Sequence, residues 1–298
     1  MHKTLAFVVS SLLLIPAAQA ARTPHVAHVS LVQNEYDFAA EVAKHGIRDG
    51  FLKYLDKQSI TFGPQPINAF DRYSQGKASK TQLLWYPSYA LVSASGDFGV
   101  DTGPWTAHWE EEGKQQTAYG EWLSIWAKDS TGTWKALFDA GTGHDAEDKA
   151  KPLAPHSKVA QLPAVSGPVA SVDDLHDAMM RADTVFSNDA INKGLRAAYE
   201  NSGTDDIRVL MLGGQPLLGK AEMAKVVPDA LSDLQWFPMG GSVAKSGDLG
   251  YLYGMTYKTG DTAHLTPQGT YMHVWRKGVD GWKLLIAEEL PLPASAGK

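Results

Sequence analysis

The sequence predicts an α+β protein in which one structural unit is carried twice, each unit opening with helices and closing with a curled antiparallel sheet. Three observations lead there. Trp85-Tyr86-Pro87 is followed by Gly96-Asp97-Phe98-Gly99 and then Gly103, and the same series returns as Trp236-Phe237-Pro238, Gly247-Asp248-Leu249-Gly250 and Gly254. Helical periodicity precedes the strands in both halves. Glycines inside long strands, where they normally weaken pairing, imply a bulge or sharp bend and hence a sheet that curls.

Bulk composition sets the frame. The 298 residues suffice for two domains, and 44% apolar with 20% charged residues suit a full hydrophobic core. The net charge of -6, or -7 once Lys3 leaves with a leader, argues against nucleic acid or an anionic membrane as the main partner. With no cysteine, disulfides, thiolate nucleophiles, zinc–thiolate sites and iron–sulfur clusters are excluded. Residues 1–20 read as a Sec-type export signal: Lys3, the apolar run Leu5 to Ile15, and the small-x-small site Ala18-Gln19-Ala20 before Ala21. The run is too short to span a bilayer, so a periplasmic or secreted protein cleaved at Ala20/Ala21 is expected, with no membrane partner.

The first copy is placed at 29–143. Leu31 to Leu55 is helical with a break near Gly46, and Tyr36, Phe38, Ala39, Val42 and Ala43 fall at three- and four-residue spacings. Ser59 to Phe62 reads as a short strand, Gly63 to Pro66 as a stiff turn and Asn68 to Ser74 as a short helix. A meander follows: Ser88 to Ser95, a Gly96-Asp97 turn, then Phe98 to Glu110, Thr117 to Lys128 and Thr133 to Ala140, with Gly103 and Gly120 inside strands. Residues 144–170 read as a charged, then proline-rich linker.

The second copy is placed at 171–293. Ser171 caps its first helix, with Asp173 and Asp174 in the first turn. Asn192-Lys193-Gly194-Leu195-Arg196 stands where Lys44-His45-Gly46-Ile47-Arg48 stood. Gly213 to Leu217 answers Gly63 to Ile67, Gly269 to Trp275 answers Gly120 to Trp126, and Gly281-Trp282-Lys283 answers Gly132-Thr133-Trp134-Lys135. Five blocks in one order, with offsets of only 148 to 151, make the repeat secure.

These motifs resemble the nuclear-transport-factor-2-like superfamily, nearest to exported relatives of the SnoaL-like polyketide cyclases and ketosteroid isomerases. The likeness covers about 120 residues per copy and nearly all of the chain beyond the leader. It implies two cone-shaped domains, each a strongly bent antiparallel sheet wrapped on N-terminal helices with a pocket open at one end. It also implies pairing of the two cones through their sheets, and is compatible with a homodimer. Such a fold carries many activities and some members with none, so it leaves the function open.

Asp139, near the end of the last strand of copy one, is the foremost candidate. The resemblance implies that an acid at this place can face the pocket and move a proton beside a carbonyl, and apolar, tryptophan-lined walls would raise its pKa. The other reading is an aspartate facing water or bonding amides of a Gly141-Thr142-Gly143 turn. Copy two has Ala287 at that position and Glu288 one step on, on the opposite sheet face. His108 and Glu121, on neighbouring strands, can meet as a base and its orienting acid, or be solvated neighbours. His273, on the pleat of Tyr271 and Trp275, is a pocket base or a core histidine. Tyr36, Tyr54, Trp85, Trp105, Trp122 and Trp126 line a pocket for a flat apolar ligand or simply fill the core, and Glu121, Tyr271 and His273 are further candidates to touch such a ligand.

No cofactor or metal motif is present: Gly214 to Lys220 spells Gly-x4-Gly-Lys but places Ala221 where Ser or Thr must reach magnesium. Three functions remain. The first is an exported, non-catalytic or accessory protein binding a small apolar or aromatic molecule. The second is a cofactor-free isomerase, cyclase or dehydratase using Asp139. The third is a scaffold with filled pockets.

Overall fold

The computed structural model describes residues 24–155, 162, 171–260 and 266–292, with side chains from Leu31 onward. The segment expected to be an export leader, the expected Ala20/Ala21 junction and most of the expected linker lie outside the described residues.

Copy one begins with α1 (Pro24–His45) and α2 (Ile47–Tyr54), joined at Gly46, whose φ of 88° is a conformation that L side chains rarely adopt. Copy two repeats the arrangement with α4 (Val172–Lys193) and α5 (Leu195–Ser202) around Gly194, φ 108°. Ser171 caps α4 by accepting from the Asp174 amide. The rest of copy one comprises β1 (Leu55–Phe62), β2 (Pro66–Asn68), α3 (Ala69–Gln75), β3 (Gln82–Trp85), β4 (Tyr89–Val92), β5 (Phe98–Glu111), β6 (Lys114–Lys128) and β7 (Trp134–His144). Copy two comprises β8 (Gly203–Met211), β9 (Leu217–Leu218), α6 (Lys220–Val226), β10 (Leu234–Val243), β11 (Leu249–Lys258), β12 (Pro267–Gly278) and β13 (Gly281–Pro291). Among the described residues no helix is long and apolar enough to cross a membrane.

The two sheets share one topology, β2-β1-β7-β6-β5-β3 with β4 also on β5, and β9-β8-β13-β12-β11-β10. The meander is antiparallel, and each sheet has one parallel pairing, β1 with β7 and β8 with β13, made when the chain returns from its helices. Each final strand carries one extra residue, Leu137 in β7 and Leu285 in β13, at the same place relative to its neighbour. A bulge there tightens the twist and curls the sheet onto its helices.

The in-strand glycines have a different use from the bulge expected of them. Register runs unbroken through Gly103 and Gly120 from Phe98 to Glu111. A Cβ at Gly103 would lie 2.2 Å from the Tyr86 carbonyl oxygen, and one at Gly120 would lie 1.9 Å from that of Thr142 and 2.5 Å from the Trp105 ring. They allow close approach of backbone and indole. Gly120→Ala is therefore expected to lower stability by about 1–3 kcal/mol, the usual range for overpacking, and to displace Trp105, read by thermal unfolding and tryptophan fluorescence.

Three further differences from the expected elements matter for the site. β1 starts at Leu55, before the expected Ser59, because α2 ends at Tyr54 and the chain extends at once. β3 was not visible in the sequence. Gly141 to Gly143 form no turn, since β7 runs through them to His144.

The inner face of each sheet packs on its own helices: Trp126 and Ala136 against Leu31, Phe38, Val42 and Phe51 in copy one, and Tyr271 and Trp275 against Met179, Phe186 and Tyr199 in copy two. The outer faces pack on each other, with Phe98, Leu123, Ile125 and Phe138 meeting Leu249, Tyr251, Met272, Val274 and Ile286 in one apolar layer. At one margin the corresponding β-turns touch. Ser95 Oγ lies 3.0 Å from Ser246 Oγ, the Ala94 amide donates to Asp248 at 2.7 Å, and Lys245 reaches Asp97 at 3.0 Å. Equivalent residues meeting each other are the signature of a two-fold contact, here within a single chain.

Candidate functional site

Strand alternation decides which side chains enter each cone. On β6, Leu123 and Ile125 face the partner sheet, so Trp122, Ser124 and Trp126 face inward. On β7, beyond the bulge at Leu137, Phe138 faces outward and Asp139 inward. Asp139 stands opposite Ser124, whose hydroxyl donates to its Oδ2 at 2.6 Å. Gly141, two residues on and opposite Trp122, has the Trp105 indole packed against it, and beyond that ring an open space borders Asp139.

That space is a cavity of about 360 Å³, open to solvent on one side. Six aromatic rings line it: Phe51 from α2, Phe62 from β1, Tyr73 from α3, Trp85 from β3, Trp105 from β5 and Trp122 from β6. Thr61, Arg72 and Asp139 bring the polar groups. Trp105 lies across the glycine surface of Gly120 and Gly141 and donates its indole N–H to the Glu121 carbonyl at 3.2 Å. Phe51 packs on Tyr73 with ring centroids 4.5 Å apart. The apolar surroundings raise Asp139 from the ordinary aspartate range to about 7, against the opposing hydrogen bond from Ser124. The same burial, with Asp139 nearby, holds the Tyr73 hydroxyl un-ionised well above its usual range.

Two more acids lie behind this wall, and both went unread in the sequence. Glu35 of α1 is fully buried and accepts from the Trp85 indole at 2.6 Å. Asp101 of β5 is fully buried and accepts from the Trp126 indole at 2.9 Å. The two carboxyls share a hydrogen bond with each other, which one of them makes as a protonated donor. Burial lifts Glu35 to about 8; burial and then the neighbouring Glu35 lift Asp101 far above its usual range. A signal was available for Glu35: it falls on the helix stripe of Leu31, Phe38 and Val42, where an acid is a misfit.

The other expected residues are dispersed. Trp85 and Trp122 line the cavity, whereas Tyr36 turns away, its hydroxyl donating to the Leu153 carbonyl at 2.6 Å. Tyr54 stacks on Phe38 at 4.8 Å, outside the cavity wall. His108 and Glu121 do not meet. His108 stands opposite Thr117, with Nδ1 3.0 Å from its hydroxyl, while Glu121 stands opposite Pro104. Glu121 faces the partner sheet with Oε1 4.0 Å from His144 Nε2, and burial first, then Asp148, raises it to about 9. His144, expected to open a solvated linker, is buried beside Gln215 of copy two at 3.2 Å.

In copy two the corresponding space is filled. Tyr271 and Glu289 face each other where Trp122 and Gly141 do in copy one, and His273 and Ala287 replace Ser124 and Asp139. Tyr271 donates to Asp183 Oδ2 at 2.9 Å, and His273 Nδ1 lies 2.7 Å from Oδ1 of the same carboxylate, all fully buried. Tyr199 donates to Glu289 at 2.8 Å. Tyr271 and His273 therefore belong to a packed network, and the open cone is that of copy one.

No family model matches this chain, and no curated protein matches it. Solved structures do. A nuclear transport factor 2-like superfamily protein from Salmonella enterica is 12% identical, covers 43% of this chain and 98% of its own, with a TM-score of 0.34. A ketosteroid isomerase-like protein from Erwinia carotovora is 20% identical, covering 41% of this chain and 97% of its own at a TM-score of 0.30. The association domain of CaMKII from C. elegans is 13% identical, covering 38% and 92% at 0.31.

Proposed function

We propose that the chain is an exported small-molecule-binding protein whose working site is the aromatic cavity of the first copy, the second copy serving as its fixed structural partner. The observation that carries this is the contrast between equivalent positions: Gly141 and Asp139 border the cavity, while at the matching places Glu289 accepts from Tyr199 and Ala287 is fully buried opposite His273. A cavity of about 360 Å³ with mostly aromatic walls and a few polar groups has the size and lining of small-ligand sites. Export rests on the leader-like first twenty residues. Screening by thermal unfolding tests the binding: a ligand at 100 times its Kd stabilises by about 2.7 kcal/mol. Ala107→Phe, which adds a ring at a cavity-lining position, is expected to remove that response, and a response that survives it would locate the ligand elsewhere.

One observation favours proton transfer as a second reading. Asp139 borders the cavity with Ser124 as its hydrogen-bond donor, and its apolar surroundings raise it to about 7, the range in which a carboxyl both takes and returns a proton at neutral pH. His108 and Tyr36 do not reach it, so Ser124 is its hydrogen-bonding companion. Deuterium exchange of a bound enolisable ketone, followed by NMR, reads this directly. Asp139→Asn should slow exchange by about 10²–10⁴-fold, and equal rates would leave binding alone.

A further inference from the structure

We propose that the ligand of this cavity is an organic cation, a substituted ammonium held against the aromatic walls with the Asp139 carboxylate as its counter-charge. The inference rests on the cavity being a ligand site and adds the chemical class.

Asp139 is the starting point. It borders the cavity, and among the described residues its only hydrogen-bond partner is Ser124. Among the described residues no lysine, arginine or histidine pairs with it. Arg72 lies at the exposed mouth and donates to the Phe62 carbonyl at 3.3 Å. A neutral apolar ligand leaves this carboxyl protonated and still without a charged partner, whereas a cation pairs with its ionised form and supplies that partner.

The walls fit the same class. Phe51, Tyr73, Trp85, Trp105 and Trp122 surround the space in front of Asp139, and ring faces attract ammonium groups, tryptophan most strongly. Trp85 is held in place by donating its N–H to Glu35. The other titratable or charged groups around Asp139 are Glu35 of α1, Arg72 and Tyr73 of α3, Asp101 of β5 and, through the sheet, Glu288 of the second copy. Four of these five are acids or a phenol, and none but Arg72 is basic.

Three probes of similar size test the class on the full chain, followed by tryptophan fluorescence: benzyltrimethylammonium, its uncharged isostere neopentylbenzene, and 3-phenylpropanoate. Benzyltrimethylammonium is expected to bind at least tenfold tighter than neopentylbenzene at pH 8. Asp139 ionises near 7, so its affinity should fall by a further tenfold or so at pH 5.5, while that of neopentylbenzene stays level or rises. Asp139→Asn should erase the preference for charge and keep the binding of neopentylbenzene; the pH series reads the same point without a variant. Equal or tighter binding of neopentylbenzene, or a preference for 3-phenylpropanoate through Arg72, overturns the cation and leaves the ligand site standing. Failure of all three to bind overturns both.

Discussion

Asp183→Ala is expected to destabilise the second copy by about 3–5 kcal/mol, the cost of leaving a buried polar partner unpaired. The carboxylate has no access to water and is held by two side chains, Tyr271 at 2.9 Å and His273 at 2.7 Å. Removing it strands a phenol and an imidazole beneath α4, and His273 Nε2 already lacks a hydrogen-bond partner among the described residues. Phe186, 4.9 Å from the His273 ring and 5.0 Å from that of Tyr199, lies against the same network. At about 2–4 °C per kcal/mol for chains of this class, the midpoint should fall by roughly 10 °C. Asp183→Asn separates charge from shape. Its amide oxygen still accepts from Tyr271, and its NH₂ donates to a neutral His273, so a small loss indicates a neutral imidazole and a large one an ion pair. An alanine variant melting within 2 °C of the parent would mean that the network does not hold the domain together.

This filled interior bears on what a sequence can and cannot disclose. The duplicated motif is legible because its residues answer backbone demands: Gly46 and Gly194 need positive φ, and Gly103 and Gly254 lie against a crossing chain, so both copies keep them. The difference between the copies rests on side-chain placement across distant strands. Asp139 is legible because the resemblance puts an acid at the end of that strand, yet the groups behind it, Glu35 and Asp101, come together only through the docking of α1 on β5. Tyr36 missed the cavity by one residue on a helix, about 100° of rotation, which takes it from the face of Glu35 toward Leu153. Glu121 missed it by strict alternation: next to an inward Trp122 it must point outward. That exclusion was already in the sequence. The position of β3, which brings Trp85 to the wall, was not, because a four-residue strand between loops carries too short a pattern to read.

Glu288→Met should raise stability, and raise it most in alkaline solution. Glu288 is fully buried in the layer between the two sheets, flanked on neighbouring strands by Met272 and Leu210, and neither of its oxygens has a hydrogen-bond partner among the described residues. Burial, and secondarily the charge of Asp139, raises it from 4.5 to about 8. Such a group holds its proton more tightly folded than unfolded. Its contribution is most favourable at and below the unfolded value, is lost as pH rises from there to about 8, and is constant beyond. Glu35 and Glu121, lifted to about 8 and about 9, act in the same direction. Asp189, lowered chiefly by its hydrogen bond from Lys193, acts oppositely and only in acid. Stability should therefore peak near pH 5 and decline toward pH 9, with Glu288 alone accounting for something on the order of 4 kcal/mol of the decline. Methionine matches the length of glutamate and joins the apolar layer without a charge to desolvate, and exchanges of buried charge for packed apolar side chains commonly gain about 1–4 kcal/mol. The gain should be largest at pH 9 and shrink at pH 5, where glutamate is already neutral. Urea unfolding at the two pH values decides the matter: an equal effect at both would show that Glu288 keeps one charge state throughout, and a loss at pH 9 would mean that the carboxylate has a partner in the layer after all.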